Sequence, residues 1–123
     1  MNGNRYFVET NILIYLLSGD NTLISILNQK QIYISFITEI ELLSFADLTV
    51  KERNKIVVML KNFIVMDLNE SIKETTIRYR KDFKLKIPDA IIAATANYLN
   101  LPLLTADLAF KSIPELTTII YSH

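Results

Sequence analysis

The stretch Arg5-Tyr6-Phe7-Val8-Glu9-Thr10-Asn11-Ile12-Leu13-Ile14-Tyr15-Leu16-Leu17 decides how the rest of the chain is read. Arg5 to Val8 has the length and apolar content of a short buried strand. Ile12 to Leu17 prolongs the apolar run beyond what one strand holds, so a helix beginning near Asn11 is expected to take over. Between the two stands an acid, Glu9, at the carboxyl end of the strand. Further along, Asn21 and Thr22 offer caps for a second short helix through Leu27, and Gln31 to Ile34 is β-branched and aromatic enough for a second strand. Thr38 opens a third helix, where Ile37, Ile40, Leu43 and Ser44 keep helical spacing. Thr49 and Glu52 form a Thr-x-x-Glu capping box that starts a helix running to about Asn62.

Phe63 to Met66 predicts a third strand, followed by Ser71 and Glu74 as a second capping box for a helix towards Phe83. Pro88 suits the first position of the next helix, where its missing N–H has no intrahelical partner to lose, and Asn100 ends that helix. Leu103 to Thr105 and Thr118 to Tyr121 are the last strands, with a helical turn at Leu108 to Lys111 between them. Strands alternating with helices predict an α/β fold: a parallel sheet of about five strands, covered by helices in a three-layer α/β/α domain over residues 1–123. Open sheets of this kind place their sites outside the carboxyl ends of the strands.

Composition narrows the chemistry. Thirteen basic and thirteen acidic side chains cancel, so any contact with nucleic acid must be local and not the work of a long-range basic field. The chain has no cysteine and a single histidine, His123, which removes disulfides, thiolate zinc sites and cysteine nucleophiles and disfavours histidine-based chemistry. Carboxylates remain. No apolar run reaches the roughly 18 residues of a membrane span, and Glu9 and Asn11 interrupt the segment that might imitate a signal peptide. A cytoplasmic protein is expected.

Glu9 follows the first strand, Asp107 follows the fourth, and Asp89 lies in the first turn of the helix opened by Pro88. If the first and fourth strands are neighbours, Glu9 and Asp107 face each other across a topological switch point, with Asp89 and Glu41 able to complete a ring. Crowded carboxylates repel until one takes a proton or a cation enters. Hard oxygen ligands favour magnesium or manganese, and such an ion supplies what phosphodiester hydrolysis needs. Each acid also has a plainer role open to it. Asp89 suits the positive end of a helix, Glu41 can be a solvated helix residue, and Asp107 and Asn11 can be caps or turn residues.

Taken together, Glu9-Thr10-Asn11, Thr38-x-x-Glu41-Leu42, Pro88-Asp89-Ala90-Ile91-Ile92-Ala93-Ala94-Thr95-Ala96 and Leu104-Thr105-Ala106-Asp107 resemble, in order and spacing, the acidic motifs of PIN-domain nucleases over nearly the whole chain. The small size resembles the VapC-type toxins of toxin–antitoxin pairs in particular. The resemblance implies a metal-dependent endoribonuclease with Glu9, Glu41, Asp89 and Asp107 around Mg2+ or Mn2+ and Asn11 and Thr105 as polar supports. It further implies RNA as substrate, a cognate antitoxin as partner, and a homodimer.

One position departs from the pattern. The family's first motif begins with Asp, whereas Glu9 carries its carboxylate one methylene farther out, and magnesium tolerates displaced ligands badly. A catalytically impaired PIN-like protein that acts by binding antitoxin or RNA is therefore the competing expectation. A receiver-like signalling domain, with Asp67 as phosphoacceptor, is a weaker one. It requires paired acids after the first strand and a lysine after the fifth, and the chain has neither.

Arg78, Arg80, Lys81, Lys84 and Lys86 form a basic run before Pro88, opposed only by Asp82. A local strip of this kind can hold phosphates; it can equally be a solvated helix face. Tyr79, Phe83 and Tyr98 are expected to pack rather than to stack on bases.

Overall fold

The computed structural model describes residues 3–123. Five strands, β1 (Arg5–Val8), β2 (Gln31–Ser35), β3 (Ile64–Met66), β4 (Leu103–Thr105) and β5 (Thr118–Ile120), form one sheet in the order β3-β2-β1-β4-β5. Every pairing is parallel. The chain lays strands outward on one side of β1, then returns to the other side. The reversal falls between β1 and β4, where Phe7 pairs with Leu103 and Val8 with Leu104. The neighbour relation on which the acidic cluster depends is therefore present.

Among the described residues six helices cover the sheet: α1 (Thr10–Leu17), α2 (Asn21–Leu27), α3 (Phe36–Leu43), α4 (Val50–Leu60), α5 (Glu70–Phe83) and α6 (Ile87–Leu99), with a short 3-10 segment at Leu108–Ser112. Two-residue alternation along the strands divides the core into two layers. Phe7, Tyr33 and Leu103 pack with α5 and α6, while Val8, Ile32, Ile34 and Leu104 pack with α1 to α4. Such fully buried side chains as Phe7, Ile34 and Leu104 contribute about 1.5–3 kcal/mol each. In α6 the buried Ala90, Ala93, Ala94 and Ala96 keep the helix slim where it packs on the sheet. No single helix among the described residues is long and apolar enough to cross a membrane.

Helix starts differ from expectation by one to three residues, for a common reason. Where cap-competent residues stand close together, the cap is the one that the incoming chain leaves in extended geometry. α1 is capped by Glu9, whose side chain accepts from the Asn11 N–H, and not by Asn11. Asp20, not Asn21 or Thr22, caps α2 by accepting from the Leu23 N–H at 3.1 Å. Ser35 caps α3, so Thr38 already lies in its first turn. The expected Ser71–Glu74 box is not used: Asn69 caps α5, accepting from Ile72 N–H at 2.8 Å, and Ser71 is inside the helix. Pro88 is the second residue of α6, after Ile87. The Thr49–Glu52 box forms in both directions.

Two polar anchors fasten the return of the chain. The Tyr121 hydroxyl lies 2.8 Å from both oxygens of Asp20, His123 Nδ1 meets Asp20 at 3.0 Å, and the His123 ring stacks on Tyr15 at 4.1 Å. On the opposite layer, Glu115 accepts from the hydroxyl of buried Tyr79 and from Arg78 Nη2.

Candidate functional site

The β1–α1 junction, the last turn of α3 with the residues after it, and the start of α6 converge on one cavity of about 420 Å³, lined by Glu9, Thr10, Asn11, Ile14, Glu41, Ser44, Phe45, Asp89 and Ile92. Three of the four acids singled out in the sequence share it. Asp107 is not part of the lining. It lies exposed beyond β4, where its carboxylate accepts from the Ala109 N–H at 2.9 Å and caps the 3-10 segment. Its charge still reaches Glu9 and Asp89, so all four acids belong to one electrostatic neighbourhood.

Glu9 is buried, with 6% of its surface exposed. The Glu9 N–H donates to the Leu104 carbonyl across the β1–β4 seam. One carboxylate oxygen accepts from Thr105 Oγ1 at 2.9 Å and the other from the Asn11 N–H at 3.1 Å. Burial nevertheless raises the Glu9 pKa, and the negative charges of Asp89 and Asp107 add to the rise. Asp89 is likewise raised, first by burial and then by Asp107 and Glu41, with Lys86 partly offsetting them. Removing a carboxylate from water and crowding it with like charges both disfavour ionisation.

Thr105, expected as a support, is fully buried and holds two partners, donating to Glu9 and accepting from the Asp107 N–H at 3.0 Å. Asn11 lines the cavity with an exposed side chain and supplies its backbone N–H to Glu9. Thr10 and Thr38 carry no separate functional signal of their own in the sequence. Thr10 Oγ1 donates to Glu41 at 2.6 Å and lies 2.9 Å from Thr38 Oγ1. The three-residue step from Thr38 to Glu41 is visible in the sequence, but the 31-residue separation from Thr10 to Glu41 carries no local signal.

The donor set is composed of carboxylates and hydroxyls, the oxygen chemistry that magnesium and manganese accept. Among the described residues no three acidic side chains stand close enough together to enclose an ion as they are placed. The fit lies in the donors and in the crowded negative charge that a cation would relieve.

The basic run divides. Arg78 is paired with Glu115 and lies over the Tyr79 ring, and Arg80 donates to the Leu85 carbonyl at 3.0 Å. Lys81, Lys84 and Lys86 are exposed. Lys86 precedes α6 and acts electrostatically on Asp89. Tyr79 is fully buried and meets Phe83 edge-on, while Tyr98 is half exposed.

The PIN-domain family profile matches residues 6–116. This chain belongs to the PIN-domain family. A chain of a toxin–antitoxin complex from Klebsiella pneumoniae is 34% identical to this PIN domain, with a TM-score of 0.80 over 92% of this chain and 96% of that one. A chain of VapBC-1 from nontypeable Haemophilus influenzae is 25% identical, with a TM-score of 0.78 and coverage of 94% and 97%. A chain of VapBC2 from Rickettsia felis, crystallised with a DNA fragment from its promoter, is 23% identical, with a TM-score of 0.80 and coverage of 96% and 99%, a likeness of fold. No curated protein matches the sequence significantly.

Proposed function

We propose that this PIN domain is the toxin of a toxin–antitoxin pair and a metal-dependent endoribonuclease. The observation that carries the reading is the buried Glu9 at the β1–β4 switch point, which shares one cavity with Glu41 and Asp89. Glu9, Glu41, Asp89 and Asp107 would hold Mg2+ or Mn2+. When bound, such an ion polarises a phosphoryl oxygen and lowers the pKa of a coordinated water, the two requirements of phosphodiester hydrolysis.

The protein's own groups prepare the site. Thr105 and the Asn11 N–H hold Glu9 towards the cavity. Ile14 and Ile92 supply apolar wall, lowering the local dielectric and strengthening charge interactions inside. In the basic run Lys86 is the best placed to draw an RNA phosphate towards Asp89, with Lys81 and Lys84 farther along the strip; Arg78 and Arg80 are held in internal contacts. The 34%-identical Klebsiella chain comes from a toxin–antitoxin complex, which supports a cognate antitoxin as partner.

Incubation of the purified protein with single-stranded RNA tests this. Cleavage should need Mg2+ or Mn2+, stop with EDTA and disappear in Asp89→Asn, and Glu9→Asp should raise turnover if the longer ligand is suboptimal. Cleavage indifferent to EDTA and to Asp89→Asn refutes the reading. A binding-only protein is the second reading, favoured by one observation: both Glu9 oxygens already accept protein hydrogen bonds. It predicts no cleavage with any divalent ion alongside intact binding to the antitoxin.

A further inference from the structure

We propose that Thr10 and Thr38 are positioning residues that hold the Glu41 carboxylate at the cavity through a two-hydroxyl relay. The inference rests on the metal-dependent reading above and assigns these residues a task within it. Glu41 stands on α3, and an untethered glutamate on a helix samples many rotamers. Here one oxygen accepts from Thr10 Oγ1 at 2.6 Å. A hydroxyl has one proton. Since Thr10 gives its proton to Glu41, the 2.9 Å contact between the two threonines must have Thr38 as donor. Thr38 donates to Thr10 and Thr10 donates to Glu41, so the relay has a direction.

The other buried helical threonines behave differently. Thr76 and Thr95 return their hydroxyl protons to the carbonyls of Ile72 and Ile91, four residues back in the same helix. Thr38 lies in the first turn of α3, where no helical carbonyl stands four residues behind it, so its hydroxyl is free to leave the helix. Both members of the relay are buried, Thr10 at 6% and Thr38 at 0% exposure. Water therefore competes poorly for these bonds. The relay joins the β1–α1 junction to α3, so the two elements that present Glu9 and Glu41 are tied together by side chains outside the acidic set.

The test compares Thr10→Val, which keeps the shape and removes the hydroxyl, with Thr10→Ser, which keeps the hydroxyl. Mn2+ affinity is measured by electron paramagnetic resonance, the Glu41 rotamer by crystallography of the metal-free variants, and folding by thermal melts. Thr10→Val should weaken Mn2+ binding about 10–100-fold, the usual cost of losing a group that orients a ligand, and release Glu41 from its present rotamer. Thr10→Ser should restore both. Should Thr10→Val fail to fold, Thr38→Val against Thr38→Ser gives the same comparison. The proposal is overturned if the valine variant binds Mn2+ as tightly as the wild type, or keeps Glu41 in place. If the wild-type protein takes up no Mn2+, the metal-dependent function falls, while the rotamer of Glu41 in the valine variant still decides the relay.

Discussion

Glu9 and Asp89 at the carboxyl end of the sheet, and Asp20 and Glu115 at its flanks, are acids on which the surroundings act in opposite directions. The first pair is raised by burial and by neighbouring negative charge. Asp20 is lowered by the Leu23 N–H, Tyr121 and His123, and Glu115 by the Tyr79 hydroxyl and Arg78. In the flanks each carboxylate meets donors that reward its charge. In the cavity burial and like charge outweigh the donors to Glu9, and Lys86 offsets only part of the rise at Asp89. On the proposed function a bound cation supplies the compensation that the protein withholds here, while the flanking pairs contribute stability.

The largest effect expected from breaking this contrast is on cleavage. Asp89→Asn should lower metal-dependent RNA cleavage on the order of 100-fold or more, several kcal/mol of lost transition-state stabilisation. It should leave the melting temperature of the metal-free protein unchanged or higher, because a repelling charge has gone. A melting temperature lowered as far as by a core substitution would mean that Asp89 is a structural acid. Next, Tyr79→Phe removes the bond from a buried ring to Glu115 and should cost about 1–2 kcal/mol. The shift is read from the urea midpoint, with cleavage per folded molecule unchanged.

The pH dependence sharpens the comparison. For Asp20 and Glu115 the folded pKa is lowered, so their contribution is complete above the unfolded values near 4 and is lost as pH falls through the folded ones. For Glu9 and Asp89 the folded pKa is raised, so the metal-free fold binds more protons than the unfolded chain between the two values. Its stability therefore declines as pH rises through that window. Melting curves of metal-free wild type and Glu9→Gln, taken from pH 4 to pH 7, should converge at the acid end, with the wild type falling behind as pH rises. Parallel curves would mean that Glu9 carries no such strain. Mn2+ should reverse the trend for the wild type only. The smallest effect belongs to His123→Ala. Its ring is half exposed, and the melting temperature should move by less than about 2 °C. A larger drop would make the stacking on Tyr15 part of the fold's main support.

Much of this is legible in the sequence. The step from strand to helix around Glu9 and the alternation of β-branched strands with amphipathic helices predict a parallel sheet, because each pattern has one way to bury its apolar face. The helix starts were less legible. Asn69 and Ser71 are both competent caps, as are Asp20, Asn21 and Thr22. Selection among them depends on where the preceding strand or turn delivers the chain. The basic run shows the same limit: Arg78 and Arg80 read like their lysine neighbours until Glu115 and the Leu85 carbonyl, brought in by the fold, claim them.

The sequence by itself determined the element order, the two-faced strands and the ordered acids, since these follow from local periodicity and from residue types at strand ends. Only the tertiary structure decided that β1 lies against β4, that Thr10 reaches Glu41 across 31 positions, and that Asp107 acts on the cavity from outside its wall. Those outcomes depend on contacts between distant segments, whose energies are set when the layers close and leave no mark on the neighbouring residues in the chain.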